Sequence, residues 1–352
     1  ACPAARLMGS VCDTLITHPN VVNASDINEL PDNGLYVEGS LISRLLMGTI
    51  GLRKVRSNRV LLVVDAHQDA FFVNAAVNTL SAARAAFGIE SPGVIVLDPP
   101  MSMHTNYAPS GRASGSVEAL ENLCSVLETE RHRYDAVALS SVIQVPDSMH
   151  LEYFEQEDMV NPWGGVEAML THAVSLLYDI PSAHAPMMNS QEVMDLDVGI
   201  VDPRKAAEAI STSFLYCALK GLHRSPRVVD QPPLHGRPDL ITAADISCLV
   251  IPDKCVGIPT LAALEQQVPV IAVRGNDNCM NNRLEDLPFE QDRLIFADNY
   301  LEAAGIVAAL RSGVALDSIR RPMPFTPVTT QVASKRSVFA EQPAKNAPSS
   351  HI

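Results

Sequence analysis

Apolar residues in this chain form short continuous runs that alternate with longer stretches of helical spacing. Residues 59–64 have the length of a strand, with five apolar residues in a row after Arg59, and end next to Asp65. Residues 70–87 repeat apolar positions at helical intervals. The helical stretch stops at Gly88, a residue type that commonly ends helices. A second strand-like run follows at residues 94–97. This order of strand, helix and strand predicts a parallel sheet covered by helices.

The same pattern continues through most of the chain. It predicts further helices at residues 3–16, 41–50, 117–131, 165–178, 203–222, 259–266 and 301–311. It predicts further strands at residues 35–38, 135–143, 245–251, 268–273 and 294–297. Residues 98–115 are rich in proline, serine and glycine and are expected to form a loop.

We expect an α/β fold with two Rossmann-like lobes and mostly parallel sheets, followed by an extended tail. The predicted N-terminal lobe comprises residues 1–155 and the predicted C-terminal lobe residues 156–320, with the break in an acidic, irregular stretch. Residues 321–352 are rich in proline and serine, with five prolines, four basic residues and one acid. This tail carries a charge of +3 and cannot build a core.

Composition narrows the classes of protein to which the chain can belong. It has 352 residues, of which 47% are hydrophobic and 19% charged, a composition that favours a large core. The net charge is −14, or −17 without the tail, which disfavours a nucleic-acid-binding protein because those need a basic surface. No apolar run approaches the ~20 residues of a membrane span, so none is expected. Seven scattered cysteines are typical of reduced thiols in an intracellular or organellar compartment.

A Gly-Gly pair at the start of one predicted helix is a candidate ligand site. Gly164 and Gly165 permit close approach of a ligand to the backbone, and Glu167 two residues later is a candidate general base. The alternative is a tight turn in which the neighbouring Trp163 only packs. His184 follows a short predicted strand and is a candidate proton carrier, although a histidine there can also be merely hydrogen-bonded.

A second candidate ligand site lies in residues 245–276, which predict a strand, a turn, a helix and another strand. Lys254, Gly257 and Thr260 surround the turn before the helix, where free N–H groups and the helix dipole attract anions. This segment resembles the nucleotide-sugar end of B-type glycosyltransferases and sugar-nucleotide epimerases. The alternative is a purely structural turn, since sheets of this class regularly carry glycine there.

The pentapeptide at residues 65–69 is the one candidate metal site. Asp65, His67 and Asp69 resemble the metal-binding segment of the arginase–agmatinase ureohydrolases, which implies a manganese pair that activates water. The second motif of those enzymes is out of register in this chain. The alternative is that Asp69 caps the helix that begins at residue 70.

Four longer segments together resemble one family, at residues 13–23, 36–39, 161–168 and 251–265. They are similar to an uncharacterised family of cyanobacteria and plastid-bearing eukaryotes, the domain-of-unknown-function family number 3326, over roughly residues 1–320. The resemblance implies the plastid stroma, or the cytoplasm in a prokaryote, and no established activity. The chain starts with alanine, as a processed plastid protein or a truncated sequence would.

The sequence leaves two main functional hypotheses open, and neither decides whether the protein is an enzyme or which cofactor it uses. In the first, a small anionic ligand of phosphate or nucleotide type binds between the lobes. Gly164, Gly165, Lys254, Gly257 and Thr260 would contact it, Glu167 and His184 would act as acid and base, and His18 and Asn20 would lie in the same cleft. In the second, a non-catalytic interaction or linker subunit of a photosynthetic assembly, of phycobilisome or thylakoid type, docks on protein partners through residues 321–352. A ureohydrolase-like metal hydrolase is a lesser alternative.

Overall fold

A computed structural model describes residues 1–109, 111–211, 213–232, 237–290 and 292–331. Its α-helices are α1 (Cys2–Val11), α2 (Pro19–Val22), α3 (Gly39–Leu46), α4 (Ala70–Phe87), α5 (Leu120–Thr129), α6 (Asp147–Glu155), α7 (Gly164–Tyr178), α8 (Gln191–Met194), α9 (Ala206–Ala209), α10 (Leu215–His223), α11 (Ile258–Glu265), α12 (Tyr300–Arg311) and α13 (Leu316–Ile319). Its strands are β1 (Leu15–Thr17), β2 (Asn23–Ala24), β3 (Ile27–Asn28), β4 (Gly34–Tyr36), β5 (Ile50–Arg53), β6 (Val60–Asp65), β7 (Val94–Leu97), β8 (Ser102–Tyr107), β9 (Ala113–Glu118), β10 (Ala136–Ser140), β11 (Ser182–His184), β12 (Arg227–Asp230), β13 (Leu240–Ile241), β14 (Leu249–Pro252), β15 (Val270–Val273) and β16 (Leu294–Ala297).

The four-stranded parallel sheet β11-β10-β6-β7 positions the candidate site. All six residues of β6 are buried, as expected for a parallel strand with both faces covered. Val60, Leu62 and Val64 join a core cluster with residues of α4 and α10. Leu61 and Val63 join a second cluster with residues of α5 and α7. The sheet is therefore the middle layer of three.

The helix α4 shows how local sequence sets the ends of an element. Asp69 accepts a hydrogen bond from the Phe71 amide at the start of the helix. Gly88 ends it with a left-handed φ of 71°, a conformation that favours glycine. The predicted helix 70–87 and its closure at Gly88 are confirmed.

The remaining sheets are smaller. One is parallel, with the order β14-β15-β16, and one is antiparallel, with the order β12-β5-β13. β1 and β4 form a parallel pair, while β2-β3 and β8-β9 are antiparallel hairpins. The predicted α/β class with mostly parallel sheets is confirmed. No helix in the described parts of the chain is both long and apolar enough to cross a membrane.

Two local predictions are wrong because strand pairing between distant residues overrides local pattern. The predicted helix 3–16 ends at Val11, and Leu15–Thr17 instead pairs with Gly34–Tyr36 as a strand. The predicted loop 98–115 contains β8 and the first half of β9, which pair in an antiparallel hairpin. The strand β4 overlaps the predicted strand 35–38, but its pairing with Leu15–Thr17 and both strands of the hairpin are not visible in the local hydrophobic spacing.

The predicted helix 203–222 is also wrong. It is replaced by the short α9 and by α10, which begins after Phe214 with a left-handed φ of 51°. The Ser211 hydroxyl accepts a hydrogen bond from the Phe214 amide, which stabilises the bend. Lys205, before α9, buries its ammonium group against the carbonyls of Tyr153 and Gln156. These contacts are made with α6, far away in sequence.

The chain divides into two compact units, Ala1–Gly313 and Val314–Ile352. The predicted lobe boundary between residues 155 and 156 remains a prediction. The strands β10 and β11 lie on opposite sides of it and pair in one sheet. The second unit contains α13, and its residues 322–331 form neither helix nor strand and are exposed. Residues 332–352 of the predicted tail lie outside the described residues.

Candidate functional site

Polar residues gather at the carboxyl edge of the central sheet. Asp65 ends β6, Ser140 ends β10 and is followed by Ser141, and His184 ends β11. Because these strands are parallel, their carboxyl ends meet at the same edge, where ligands bind in open α/β sheets. Ser141 has no exposed surface.

Ser141, His184 and Glu167 form a continuous chain of hydrogen bonds. The distance from Ser141 Oγ to His184 Nε2 is 2.8 Å, and that from His184 Nδ1 to Glu167 Oε1 is 3.2 Å. A carboxylate can only accept, so Nδ1 carries the proton and donates to Glu167, which leaves Nε2 to accept from the Ser141 hydroxyl. The His184 side chain is fully buried, whereas that of Glu167 is 17% exposed. The carboxylate is therefore the end of the chain that solvent reaches.

The start of α7 places Glu167. Asn161 Oδ1 accepts hydrogen bonds from the amides of Trp163 and Gly164 at 2.9 and 3.0 Å. A Cβ on Gly165 would lie 2.5 Å from the carbonyl carbon of Ala113 in β9, so this glycine is required by helix–strand packing. The amide of Gly164 is bound by Asn161 and Gly165 faces a strand, so the Gly-Gly pair is accounted for by helix capping and packing. Their predicted contact with a ligand remains a prediction.

An outer cavity of about 450 Å³ lies in front of Glu167 and His184. This volume is in the range of small-molecule sites. Trp163 forms part of its wall and also packs edge-on against Tyr153 and His150, which fixes its orientation. The lining combines apolar and aromatic side chains with a few polar ones, among them Asn20, His150, Phe154, Asn161, Met188, Arg204, Glu208 and Phe214.

Glu208 is a second carboxylate in the wall of the outer cavity. Burial raises the pKa of Glu208, and the nearby charge of Glu167 raises it further. Asn161 Nδ2 donates a hydrogen bond to Glu208 Oε2 at 3.0 Å. Asn161 therefore connects Glu208 to the start of the helix that carries Glu167.

Arg204 is the basic side chain among the described residues that line the outer cavity, apart from histidines. Its guanidinium donates to both carboxylate oxygens of Asp202, with the shortest distance 2.7 Å. This pairing lowers the pKa of Asp202 to about 2. Glu157 and Asp158 lie 3.7 and 3.9 Å from the same guanidinium. The positive charge is thus balanced by nearby acids before any ligand binds.

An inner cavity of about 20 Å³ adjoins the outer one. His18 and Glu38 line it, and it shares Asn20, Glu167 and His184 with the outer cavity. His18 Nδ1 accepts a hydrogen bond from the Asn20 amide, and burial lowers the pKa of His18, which favours a neutral ring with its proton on Nε2.

Glu38 presents an unsatisfied oxygen at the inner cavity. Its side chain is 1% exposed, and its Oε2 accepts from the Ser40 amide and hydroxyl. Oε1 accepts no hydrogen bond. The nearest basic atom is His172 Nδ1 at 3.3 Å, and that nitrogen is hydrogen-bonded to the Ala168 carbonyl.

Asp69 and His67 of the candidate metal segment are hydrogen-bonded, whereas neither carboxylate oxygen of the buried Asp65 has a hydrogen-bond partner. Asp69 caps α4 through Oδ1, and its Oδ2 accepts from Gln191 Nε2 at 2.6 Å. His67 Nδ1 accepts from the Asp69 amide at 3.0 Å. Burial raises the pKa of Asp65 to about 6. Across the described residues, no group of three or more His, Cys, Asp or Glu side chains is arranged to hold a metal ion.

The predicted anion loop lies apart from both cavities. Lys254 Nζ contacts Asp277 at 2.8 Å, Thr260 Oγ1 donates to the Cys255 carbonyl at 2.9 Å, and Gly257 precedes α11 in an extended conformation. None of the three appears in the lining of the outer or the inner cavity. The structure therefore brings together His18, Asn20, Glu167 and His184 but not these residues.

Sequence reasoning missed three polar members of the site. Ser141 lay inside the overlong predicted strand 135–143, whose end at Ser140 would have exposed it as an edge residue. Glu208 lay inside the predicted helix 203–222, and Glu38 was the last residue of a predicted strand. The ends of strands were the signal that was available for Ser141 and Glu38.

Comparison with known proteins identifies the same family as the four segments at residues 13–23, 36–39, 161–168 and 251–265. Residues 1–320 match the family described as "Protein of unknown function (DUF3326)". An uncharacterized lipoprotein of Synechococcus sp. is 29% identical over 318 residues, which span 89% of this chain and 86% of that relative. The match covers both cavities and the whole central sheet, and this chain accordingly belongs to the DUF3326 family.

Proposed function

We propose that this protein binds a small organic molecule in the outer cavity and transfers a proton to or from it through Glu167. The observation that carries the proposal is the hydrogen-bonded chain Ser141–His184–Glu167, which ends on a carboxylate in the cavity wall. A buried histidine held in one tautomer by a hydroxyl on one side and a carboxylate on the other is typical of a positioned acid–base group.

Of the three hydrogen-bonded side chains, Glu167 is the most exposed, which favours it as the group that contacts the ligand. Ser141 is fully buried and does not line either cavity, so a role as nucleophile is not supported. His184 Nδ1–H fixes one oxygen of Glu167 and leaves the other oxygen for the ligand. Glu167 is therefore the proposed base, His184 orients it, and Ser141 orients His184.

The ligand class expected from the sequence was anionic. Lys254, Gly257 and Thr260, which supported that expectation, would bind such a ligand away from the two cavities. At the cavities the fixed charges are carboxylates, with Arg204 already paired to Asp202. The proposal therefore keeps the small ligand and the pair Glu167–His184 and does not require an anion.

The test begins with a thermal-shift screen of the full chain against a library of small polar metabolites. Hits are repeated with Glu167→Gln and with Glu265→Gln, a control whose glutamate is exposed on α11. We expect hits to stabilise the unaltered protein and the control but not Glu167→Gln. Hits that stabilise all three equally bind elsewhere and contradict the proposal.

Proton transfer is tested on the same hits in deuterated water. Mass spectrometry should show deuterium entering the bound compound in the presence of the unaltered protein. Because general acid–base groups contribute roughly 10²–10⁴-fold, Glu167→Gln should slow the exchange by about that factor. Binding without any exchange would leave a binding protein and refute the acid–base role.

A second candidate function is docking through the tail. Phe325 and Val328 are 99% and 88% exposed in a segment without helix or strand, which favours contact with a partner. A photosynthetic assembly of phycobilisome or thylakoid type, and with it a plastid or cytoplasmic location, remains a prediction. Deleting residues 321–352 should abolish co-purification with such an assembly, and unchanged association would exclude the docking role.

A further inference from the structure

We propose that the ligand is a primary amine whose ammonium group binds in the inner cavity between Glu38 and Glu167. This inference rests on the proposed function and names the class of molecule that the site takes. Three features carry it: the size of the inner cavity, the unsatisfied acceptor on Glu38, and the balance of charge around both cavities.

The inner cavity has room for one small polar group. Its volume of about 20 Å³ exceeds the ~10–15 Å³ that one water molecule needs, so it accommodates a group of that size. An ammonium group is close to water in size and carries three hydrogen-bond donors. The body of the amine would then occupy the outer cavity, which shares Asn20, Glu167 and His184 with the inner one.

Glu38 Oε1 is a buried hydrogen-bond acceptor without a donor. Oε1 is buried and accepts no hydrogen bond, although buried polar atoms almost always have partners. The nearby donors do not satisfy it, because Ser40 donates to Oε2, His172 Nδ1 is bonded to Ala168, and the Nε2–H of His18 makes no hydrogen bond to Oε1. An ammonium group between Glu38 Oε1 and Glu167 would satisfy this acceptor and the free oxygen of Glu167.

The charge balance favours a cation over an anion or a neutral donor. Glu38, Glu167 and Glu208 face the two cavities, and the guanidinium of Arg204 is neutralised by Asp202. Burial keeps His18 largely neutral, so it offers no competing positive charge. Trp163 and Phe154 in the outer cavity supply aromatic surface for the apolar part of the amine.

The experiment compares three probes of equal length on the full chain at pH 7: n-hexylamine, n-hexanol and hexanoate. Dissociation constants are measured by ligand-observed NMR. We expect the amine to bind at least tenfold more tightly than the alcohol or the carboxylate. Glu38→Gln and Glu167→Gln should each weaken amine binding at least tenfold, and Glu265→Gln should leave it unchanged.

Each other outcome has a definite meaning. Equal or tighter binding of hexanol or hexanoate overturns the amine class but not the proposed binding of a small molecule. Failure of all three probes to bind also overturns the amine class, and the metabolite screen then decides the proposed function. If Glu38→Gln binds the amine as tightly as the unaltered protein, the ammonium group does not bind in the inner cavity. If Glu38→Gln does not fold, Glu167→Gln and a crystal structure of the unaltered protein with hexylamine decide. A water molecule alone in the inner cavity of that structure contradicts the inference.

Discussion

Replacing Gly165 by alanine tests how closely α7, which carries Glu167, packs against the hairpin β8-β9. A Cβ at this position would lie 2.5 Å from the Ala113 carbonyl carbon and 2.8 Å from the Ser114 nitrogen. Both are backbone atoms, so no side chain can rotate away and the helix itself must shift. Glu167, two residues further along, would move with it and lose its alignment with His184.

The magnitude follows from two opposing effects. Overpacking of this kind costs about 1–3 kcal/mol, and backbone contacts belong to the upper end of that range. Alanine regains up to about 1 kcal/mol over glycine inside a helix. We therefore expect Gly165→Ala to lower the free energy of unfolding by about 2 kcal/mol.

Gly164→Ala is the matched control in the same helical turn. Its Cβ would meet only Asn161 Oδ1, at an ordinary 3.7 Å, so we expect no loss of stability. Urea denaturation followed by circular dichroism gives both free energies. If Gly165→Ala unfolds at the same urea concentration as Gly164→Ala, the packing argument for this glycine and for the position of Glu167 is refuted.

Three further predictions concern the sheet edge. Ser141→Ala should lower the free energy of unfolding by about 1–3 kcal/mol, since it leaves His184 Nε2 buried without a donor; urea unfolding that is unchanged would show that this bond is not formed. Asp65, whose folded pKa is raised to about 6, binds its proton more tightly in the folded state, so its contribution to stability is present below about pH 4 and is lost as the pH rises through 6. Asp65→Asn should therefore match the unaltered protein in urea unfolding at pH 4 and exceed it at pH 7 by up to about 3 kcal/mol, and an equal difference at both pH values would contradict this. Asp69→Ala should cost about 1 kcal/mol through loss of the α4 cap, while Asp69→Asn keeps it, as thermal unfolding would show; equal losses would point to a charge-dependent role instead.

The parts of the fold that follow from local sequence were predictable. The strands predicted at 59–64 and 94–97 and the helix predicted at 70–87 with its end at Gly88 follow from local apolar spacing and its end signals, and the structure has β6, β7 and α4 there. The hairpin β8-β9 was not predictable in this way, because its residues are mostly polar and its support is α7, more than forty residues later in the chain.

The site could be predicted only in part for the same reason. Glu167 and His184 stood out because one opens a helix and the other ends a strand, and the fold places them 3.2 Å apart. Ser141 joins them only because β10 and β11 are neighbours in the sheet, which is a fact of topology. Glu208 reaches the outer cavity from a segment whose local pattern gave no indication of the site, whereas Glu38 ends a predicted strand whose place beside the site is set by topology.

The most direct test of the central claim is the tautomer of His184, read from long-range ¹H–¹⁵N NMR correlations of the full chain at pH 7. The hydrogen-bonded chain requires the proton on Nδ1, donated to Glu167, with Nε2 accepting from Ser141. We expect an Nδ1–H signal from His184 that is lost or strongly shifted in Glu167→Gln. An Nε2–H tautomer in the unaltered protein would contradict the arrangement and the proton-transfer role built on it.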